Sequence, residues 1–225
     1  MQHRTVDELM TRKVVQVRQD TPFKEIVREL AENDVTAVPV VAPDGRVIGV
    51  VSEADLMRKS ADQPDPFGRV PVPNLAEWER AKAEGARAEE LMSAPPVCAR
   101  PEWNVVETAR LMTVQGVKRL PVVDETDKLV GIISRADILR VFLREDTAIR
   151  DEIHHDLLQH TLGLAPSAVT AEVSEGQVTL TGTVETRSMI PVIERLCRSV
   201  DGVVAVHQRL TYTSDDTGGR FPGSR

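Results

Sequence analysis

Apolar positions along the chain follow two rhythms, a strand-like run or alternation and a helical three-to-four spacing, and one succession of the two occurs twice. Short apolar runs over 14–17 and 97–99 predict strands. Thr21 followed by Pro22 marks a helix start, with Thr21 as N-cap and Pro22 at the first helical position, and the helix runs to about residue 34. Apolar strands over 37–41 and 47–51 flank Pro43-Asp44-Gly45-Arg46, which predicts a hairpin, and a second helix starts after Ser52.

The recurrence is a repeat. Glu8-Leu9-Met10 returns as Glu90-Leu91-Met92, Pro39-Val40-Val41 as Pro121-Val122-Val123, and residues 49–56 as 131–138, always 82 positions later. Setting 6–58 on 88–140 without a gap gives 16 identities in 53. Each copy reads β-α-β-β-α over about 50 residues, too few to bury both faces of its sheet, so the two copies are expected to pack as a pair. Between them, 60–73 holds four of the 14 prolines and reads as a loop. The stretch 75–91 has helical composition, with Leu75, Trp78 and Ala81 at helical spacing and charges that read as a solvated face.

Beyond residue 145 a third pattern begins. Ile149, Ile153, Leu157, Leu158 and Leu162 predict a helix over 149–162, and 169–173 and 178–184 alternate as a hairpin around Glu175-Gly176. A helix over 187–200, tolerating Pro191 only near its first turn, is ended by Asp201-Gly202, and 203–212 alternates as a strand. The tail 214–225, rich in Ser, Asp, Thr and Gly, reads as disordered.

Composition narrows the function classes. A 41% apolar content fits a folded chain of 225 residues, and a net charge of -7 gives no support to binding of nucleic acid. Cys98 and Cys197 are too few for a disulfide framework and lack metal spacing. Charged residues in the first ten positions with no apolar stretch behind them predict no signal peptide, so the expected location is cytoplasmic.

The motif hydrophobic-x-x-hydrophobic-Pro-Val at 35–40 and 117–122, followed both times by Gly-h-h-Ser-x-x-Asp at 49–55 and 131–137, resembles tandem CBS domains, the pair known as a Bateman module. The run V-x-x-G-x-V-x-L-x-G-x-V over 173–184, then a helix and Gly202-Val203-x-x-Val206, resembles a BON domain. The fold class is therefore α+β: CBS repeat one over 1–60, a linker and connecting helix over 61–87, CBS repeat two over 88–145, a BON-like domain over 147–213, and the tail. The first resemblance implies a cleft for an adenosine-containing ligand such as AMP, ADP, ATP, NAD or S-adenosylmethionine, and a homodimer formed through the CBS helices. The second implies contact with a membrane surface or a protein, although residues 147–213 carry five Arg against eight acids.

Candidate ligand contacts follow from residue chemistry. A carboxylate accepts hydrogen bonds from both ribose hydroxyls, and a hydroxyl three residues earlier can join it, so Ser52 with Asp55 and Ser134 with Asp137 have the required spacing. The same spacing is also that of a helix capping box. Repeat two adds Lys118, Arg119 and Arg135, where repeat one has Thr36, Ala37 and Glu53. Three cations favour a phosphate chain, so the expected better site is Asp137, Ser134, Lys118 and Arg119, unless the cations are merely solvated. Val38 and Leu120, beside Pro39 and Pro121, are expected either to sandwich the adenine or to lie in the core. Asp156 and His160, near His154 and His155, are two ligands without a third and predict no metal site.

No activated nucleophile, paired carboxylates or phosphate-binding glycine loop is present, so an enzyme is not expected and no cofactor is required. The function expected is that of a sensor in which an adenine nucleotide acts as regulatory ligand and an unknown protein partner receives the signal. The alternative is an adaptor with empty clefts that docks through its C-terminal domain.

Overall fold

The computed structural model describes residues 3–61 and 76–217, which form two compact units, 5–135 and 136–217 with 3–4. In the first unit, α1 (Val6–Leu9) precedes β1 (Val17–Arg18), α2 (Phe23–Glu32), β2 (Ala37–Val41), β3 (Val47–Ser52) and α3 (Glu53–Ala61). The inter-repeat segment contributes α4 (Glu77–Glu84). Repeat two follows with α5 (Ala88–Leu91), α6 (Val105–Val114), β4 (Arg119–Val123), β5 (Leu129–Ser134) and α7 (Arg135–Leu139), whose last residues fall in the second unit.

Both hairpins form as expected. β2 pairs antiparallel with β3 and β4 with β5 in the same register, Pro39 opposite Val50 and Pro121 opposite Ile132. The leading strands are shorter than the apolar runs suggest. β1 keeps two residues, parallel to β2, and in repeat two only Ala99 bridges Val122, because Pro95 and Pro96 just before it offer no N–H to a ladder. Helix α2 starts one residue later than expected: Pro22 is its N-cap, and the Thr21 hydroxyl accepts from Arg18 N at 2.9 Å. Repeat two uses a true capping box, with Asn104 Oδ1 accepting from Val106 N and Glu107 N at 2.9 Å and Glu107 returning a carboxylate to Asn104 N.

The connecting helix is two helices, since the backbone turns extended at Gly85, between α4 and α5. Leu75 and most of the proline-rich loop lie outside the described residues, while Ser60 belongs to α3.

The repeats are joined by reciprocal exchange of their leading segments. Thr11 exchanges two backbone hydrogen bonds of 2.9 Å with Ile132 on β5, and Ser93 exchanges two of 2.9 and 3.2 Å with Val50 on β3. The methionines before them complete the exchange: Met10 lies on Gly131 and Met92 on Gly49, so close that a Cβ at either glycine would collide with the sulfur. Repeat one's strands bury Val38, Val40 and Val51 against Ile26 and Leu30 of α2 and Leu91 of α5. Each copy thus borrows part of its fold from the other.

In the second unit a 3₁₀ turn, Arg140–Leu143, leads to α8 (Asp146–Glu152), which widens without a break into a π-helix over Ile153–Thr161. β6 (Val169–Ser174) and β7 (Gln177–Thr186) form the expected hairpin, and α9 (Met189–Arg198) crosses over to β8 (Ala205–Ser214), parallel to β7. Ile149, Ile153, Leu157, Leu180, Ile193 and Cys197 are fully buried in the core. The Asp146 carboxylate accepts from Glu175 N and Gly176 N at 2.7 and 2.8 Å, tying the hairpin turn to the start of α8. The tail begins with fixed contacts: Asp215 pairs with Arg187 at 2.8 Å, and Asp216 accepts from Ser188 N at 3.0 Å. Residues 218–225 lie outside the description.

Candidate functional site

A cavity of about 310 Å³ opens in the 5–135 unit, at the small end of the range typical of ligand sites. Its walls come from three places: the ends of β2 and β3 with the start of α3, the segment exchanged from repeat two, and the turn between α6 and β4. Ser52 and Asp55 stand at one side with Ser93. Lys118 and Arg119 line the cavity as well, and the Arg119 guanidinium donates to the Thr36 hydroxyl. Between these polar groups lie Ala37, Val50, Val97 and Val117. Gly116, at φ +65°, turns the chain from α6 into this wall.

The grouping expected from sequence is therefore rearranged. Lys118 and Arg119 of repeat two line the cavity that contains Ser52 and Asp55 of repeat one, whereas Ser134, Arg135 and Asp137 do not line it. Arg135 is engaged with the backbone, its Nε donating to Val117 O at 3.0 Å. Packing as an exchanged pair places the cations of one copy in the same cavity as the carboxylate of the other, which a linear comparison of the copies does not reveal. Thr36, Ala37 and Glu53 line the cavity too.

Val38 and Leu120 take the core option, both being fully buried. Strand alternation explains it: Ala37 turns into the cavity, so Val38 turns away from it into the core of repeat one. Pro39 and Pro121 are buried beside them. The apolar walls expected of these residues are supplied by Val50, Val97 and Val117.

Asp55 is the most elaborately held group. Its Oδ2 accepts from Ser52 Oγ at 2.6 Å and Ser52 N at 3.0 Å, so the capping-box and ligand-site readings of Ser-x-x-Asp meet on the same atoms. Its Oδ1 accepts from Arg58 Nη1 at 2.7 Å and from Lys82 Nζ at 2.8 Å. Burial alone would raise this carboxyl's pKa, but the hydrogen bonds from Lys82 and Ser52 outweigh it and hold the group below the ordinary aspartate value. Lys82 and Arg58 had no place in the sequence reading. Lys82 lies in the inter-repeat segment, which has no counterpart in the repeat to draw attention to it.

The remaining candidates have structural roles. His154 Nε2 accepts from Ala171 N at 3.2 Å on β6, and His155 Nδ1 meets Asp151 O at 3.0 Å. Among the described residues no group of three or more His, Cys, Asp or Glu is placed to hold a metal ion. Burial pushes the Cys98 thiol up to about 11 and that of Cys197 to about 12, so neither is a thiolate at neutral pH. Among the described residues no helix is long and apolar enough to cross a membrane.

Comparison with known proteins gives two family matches, the CBS domain at residues 6–62 and 88–144 and the BON domain at 145–214. An uncharacterized protein of Methanocaldococcus jannaschii, MJ1426, is 24% identical over 61% of this chain and 90% of its own length. The chloroplastic CBS domain-containing protein CBSX1 of Arabidopsis thaliana is 31% identical over 62% of this chain, a match that spans 64% of that relative. Among solved structures, CBSX2 of the same plant in complex with AMP superposes with a TM-score of 0.54, at 30% identity, over 62% of this chain and 96% of that one.

Proposed function

Because the chain belongs to the CBS domain family, with two CBS repeats and a BON domain behind them, we propose that its cavity binds an adenosine-containing ligand and that the protein acts as a regulatory sensor. One observation carries the reading: a hydroxyl-binding pair, Ser52 and Asp55, shares an apolar-walled cavity with two cations, Lys118 and Arg119. Each element matches one part of a nucleoside monophosphate. The ribose diol meets the carboxylate, the base lies against Ala37, Val50, Val97 and Val117, and the phosphate meets the ammonium and guanidinium. The AMP complex of the 30% identical relative supports AMP as the first ligand to test.

The chain would act by a shift of conformation or of a dimer equilibrium, relayed by the C-terminal domain to a protein partner. Met57 on α3 and Val114 at the end of α6, 69% and 80% exposed, are available for association with a second copy. Thermal unfolding of the full chain with AMP and with S-adenosylmethionine tests the reading. A ligand at 100 times its dissociation constant stabilises by about 2.7 kcal/mol. AMP is expected to raise the midpoint of the wild type, and the Lys118→Ala, Arg119→Ala double variant is expected to need at least about tenfold more AMP for the same rise. No shift with either ligand, or an unchanged requirement in the double variant, refutes the proposal.

A further inference from the structure

The Asp55 carboxylate is saturated. Arg58 Nη1 at 2.7 Å, Lys82 Nζ at 2.8 Å and Ser93 Oγ at 3.4 Å reach Oδ1, and Ser52 Oγ at 2.6 Å and Ser52 N at 3.0 Å reach Oδ2. A carboxylate offers about four lone-pair positions, so five donors leave none for the two hydroxyls of a ribose. If a diol binds here, a donor now in place has to leave.

The five donors differ in how easily they leave. Those of Ser52 are fixed by the end of β3, and Arg58 lies one helical turn along α3, where it also reaches Glu79 at 3.6 Å. Lys82 comes from α4, none of whose described side chains is buried. Among the described side chains, the bonds that hold α4 to repeat one are polar. Lys82 bonds Asp55 and, at 2.8 Å, Ser93 Oγ; Lys59 Nζ donates to Gly85 O at 2.9 Å just past the helix end. Trp78 lies 57% exposed with the Arg58 and Lys82 cations 5.2 and 5.9 Å from its ring. A released Lys82 is free to hydrate, and no described side chain of α4 leaves a buried position.

We propose that α4 is a strap whose Lys82 engages Asp55 and Ser93 at the ribose end of the cavity, so that docking of α4 and binding of an adenosine ligand at Asp55 exclude one another. The proposal rests on the adenosine reading of the cavity. It makes the inter-repeat segment the part of the chain that reports occupancy: ligand binding frees α4, and anything that captures free α4 raises ligand affinity by the same factor.

The experiment combines calorimetric titration with AMP and hydrogen exchange of the full chain. Lys82→Met, which keeps the aliphatic stem and removes the ammonium, is expected to bind AMP about tenfold more tightly than the wild type, within the usual range of coupling between sites. In the wild type, AMP is expected to speed exchange of the amides of 77–84, and Asp55→Asn is expected to speed it without any ligand. If the wild type binds AMP but Lys82→Met binds no more tightly, or exchange over 77–84 is unchanged by AMP, the strap is overturned and the adenosine reading stands. If AMP binds neither protein, the adenosine reading fails and the exclusion falls with it. The ligand-free comparison with Asp55→Asn still decides whether Asp55 holds α4.

Discussion

The two CBS repeats share Ser-x-x-Asp at one helix start and even the backbone bond beside it, Glu53 N to Thr36 O and Arg135 N to Lys118 O, both 3.0 Å. Their aspartates nevertheless stand in different surroundings. Asp55 meets Arg58 and Lys82, with side chains only 25% and 12% exposed, whereas Asp137 meets Arg140 at 3.3 Å, a side chain 70% exposed. Duplication preserved the backbone role of the motif. The arginine one turn along the helix is duplicated too, Arg58 and Arg140 lying 82 positions apart, and what was not duplicated is the Lys82 ammonium: α4 follows α3 in the inter-repeat segment, while a 3₁₀ turn follows α7.

The sharpest way to break this contrast is to remove the buried carboxylate. Asp55→Ala leaves two cations facing one another without their acceptor and is expected to cost about 3 kcal/mol in denaturant unfolding of the full chain. A cost below about 1 kcal/mol would mean that the Asp55 cluster is no more coupled than an exposed pair. Next in size, Gly49→Ala and Gly131→Ala test where the repeats are alike. Each is expected to cost about 1–3 kcal/mol by crowding its methionine, and Met92→Ala should relieve only the first and Met10→Ala only the second in double-mutant cycles.

A smaller effect is expected from acid. The folded pKa of Asp55 lies below its unfolded value, so its stabilisation is complete above about pH 4 and is lost as pH falls through the folded pKa. Between about pH 5 and pH 2 the wild type should therefore lose more stability than Asp55→Asn, and parallel pH curves would contradict this. The least effect is predicted for Arg140→Met, below about 1 kcal/mol, because the Arg140 side chain is 70% exposed and reaches Asp137 only at 3.3 Å.

Much of this was legible in the residues and some was not, for identifiable reasons. Repeated Gly, Ser and Asp at a constant offset disclose two hairpins and two helix starts, since those residues answer to local backbone needs. The presence of Lys118 and Arg119 in one cavity with Asp55 answers to how two copies interlock, and no run of adjacent residues encodes that. Val38 and Leu120 were ambiguous until strand alternation assigned their neighbours to the cavity. In the second unit the apolar positions 149, 153, 158 and 162 advance by four and five residues. That interval suits the π-helix found over Ile153–Thr161, though it reads as an ordinary helix when only its presence is sought.

Interlocking also sets an order of events at the ribosome. Thr11 finds its strand partner at Ile132, 121 positions later. At roughly 5 to 20 residues added per second, the leading segment waits roughly 6 to 24 s, and longer in the exit tunnel, before that partner exists. For an early part of this interval the nascent repeat one offers the exposed edge of β3, and the growing chain relies on Ser93, 43 positions after its partner Val50, to close it.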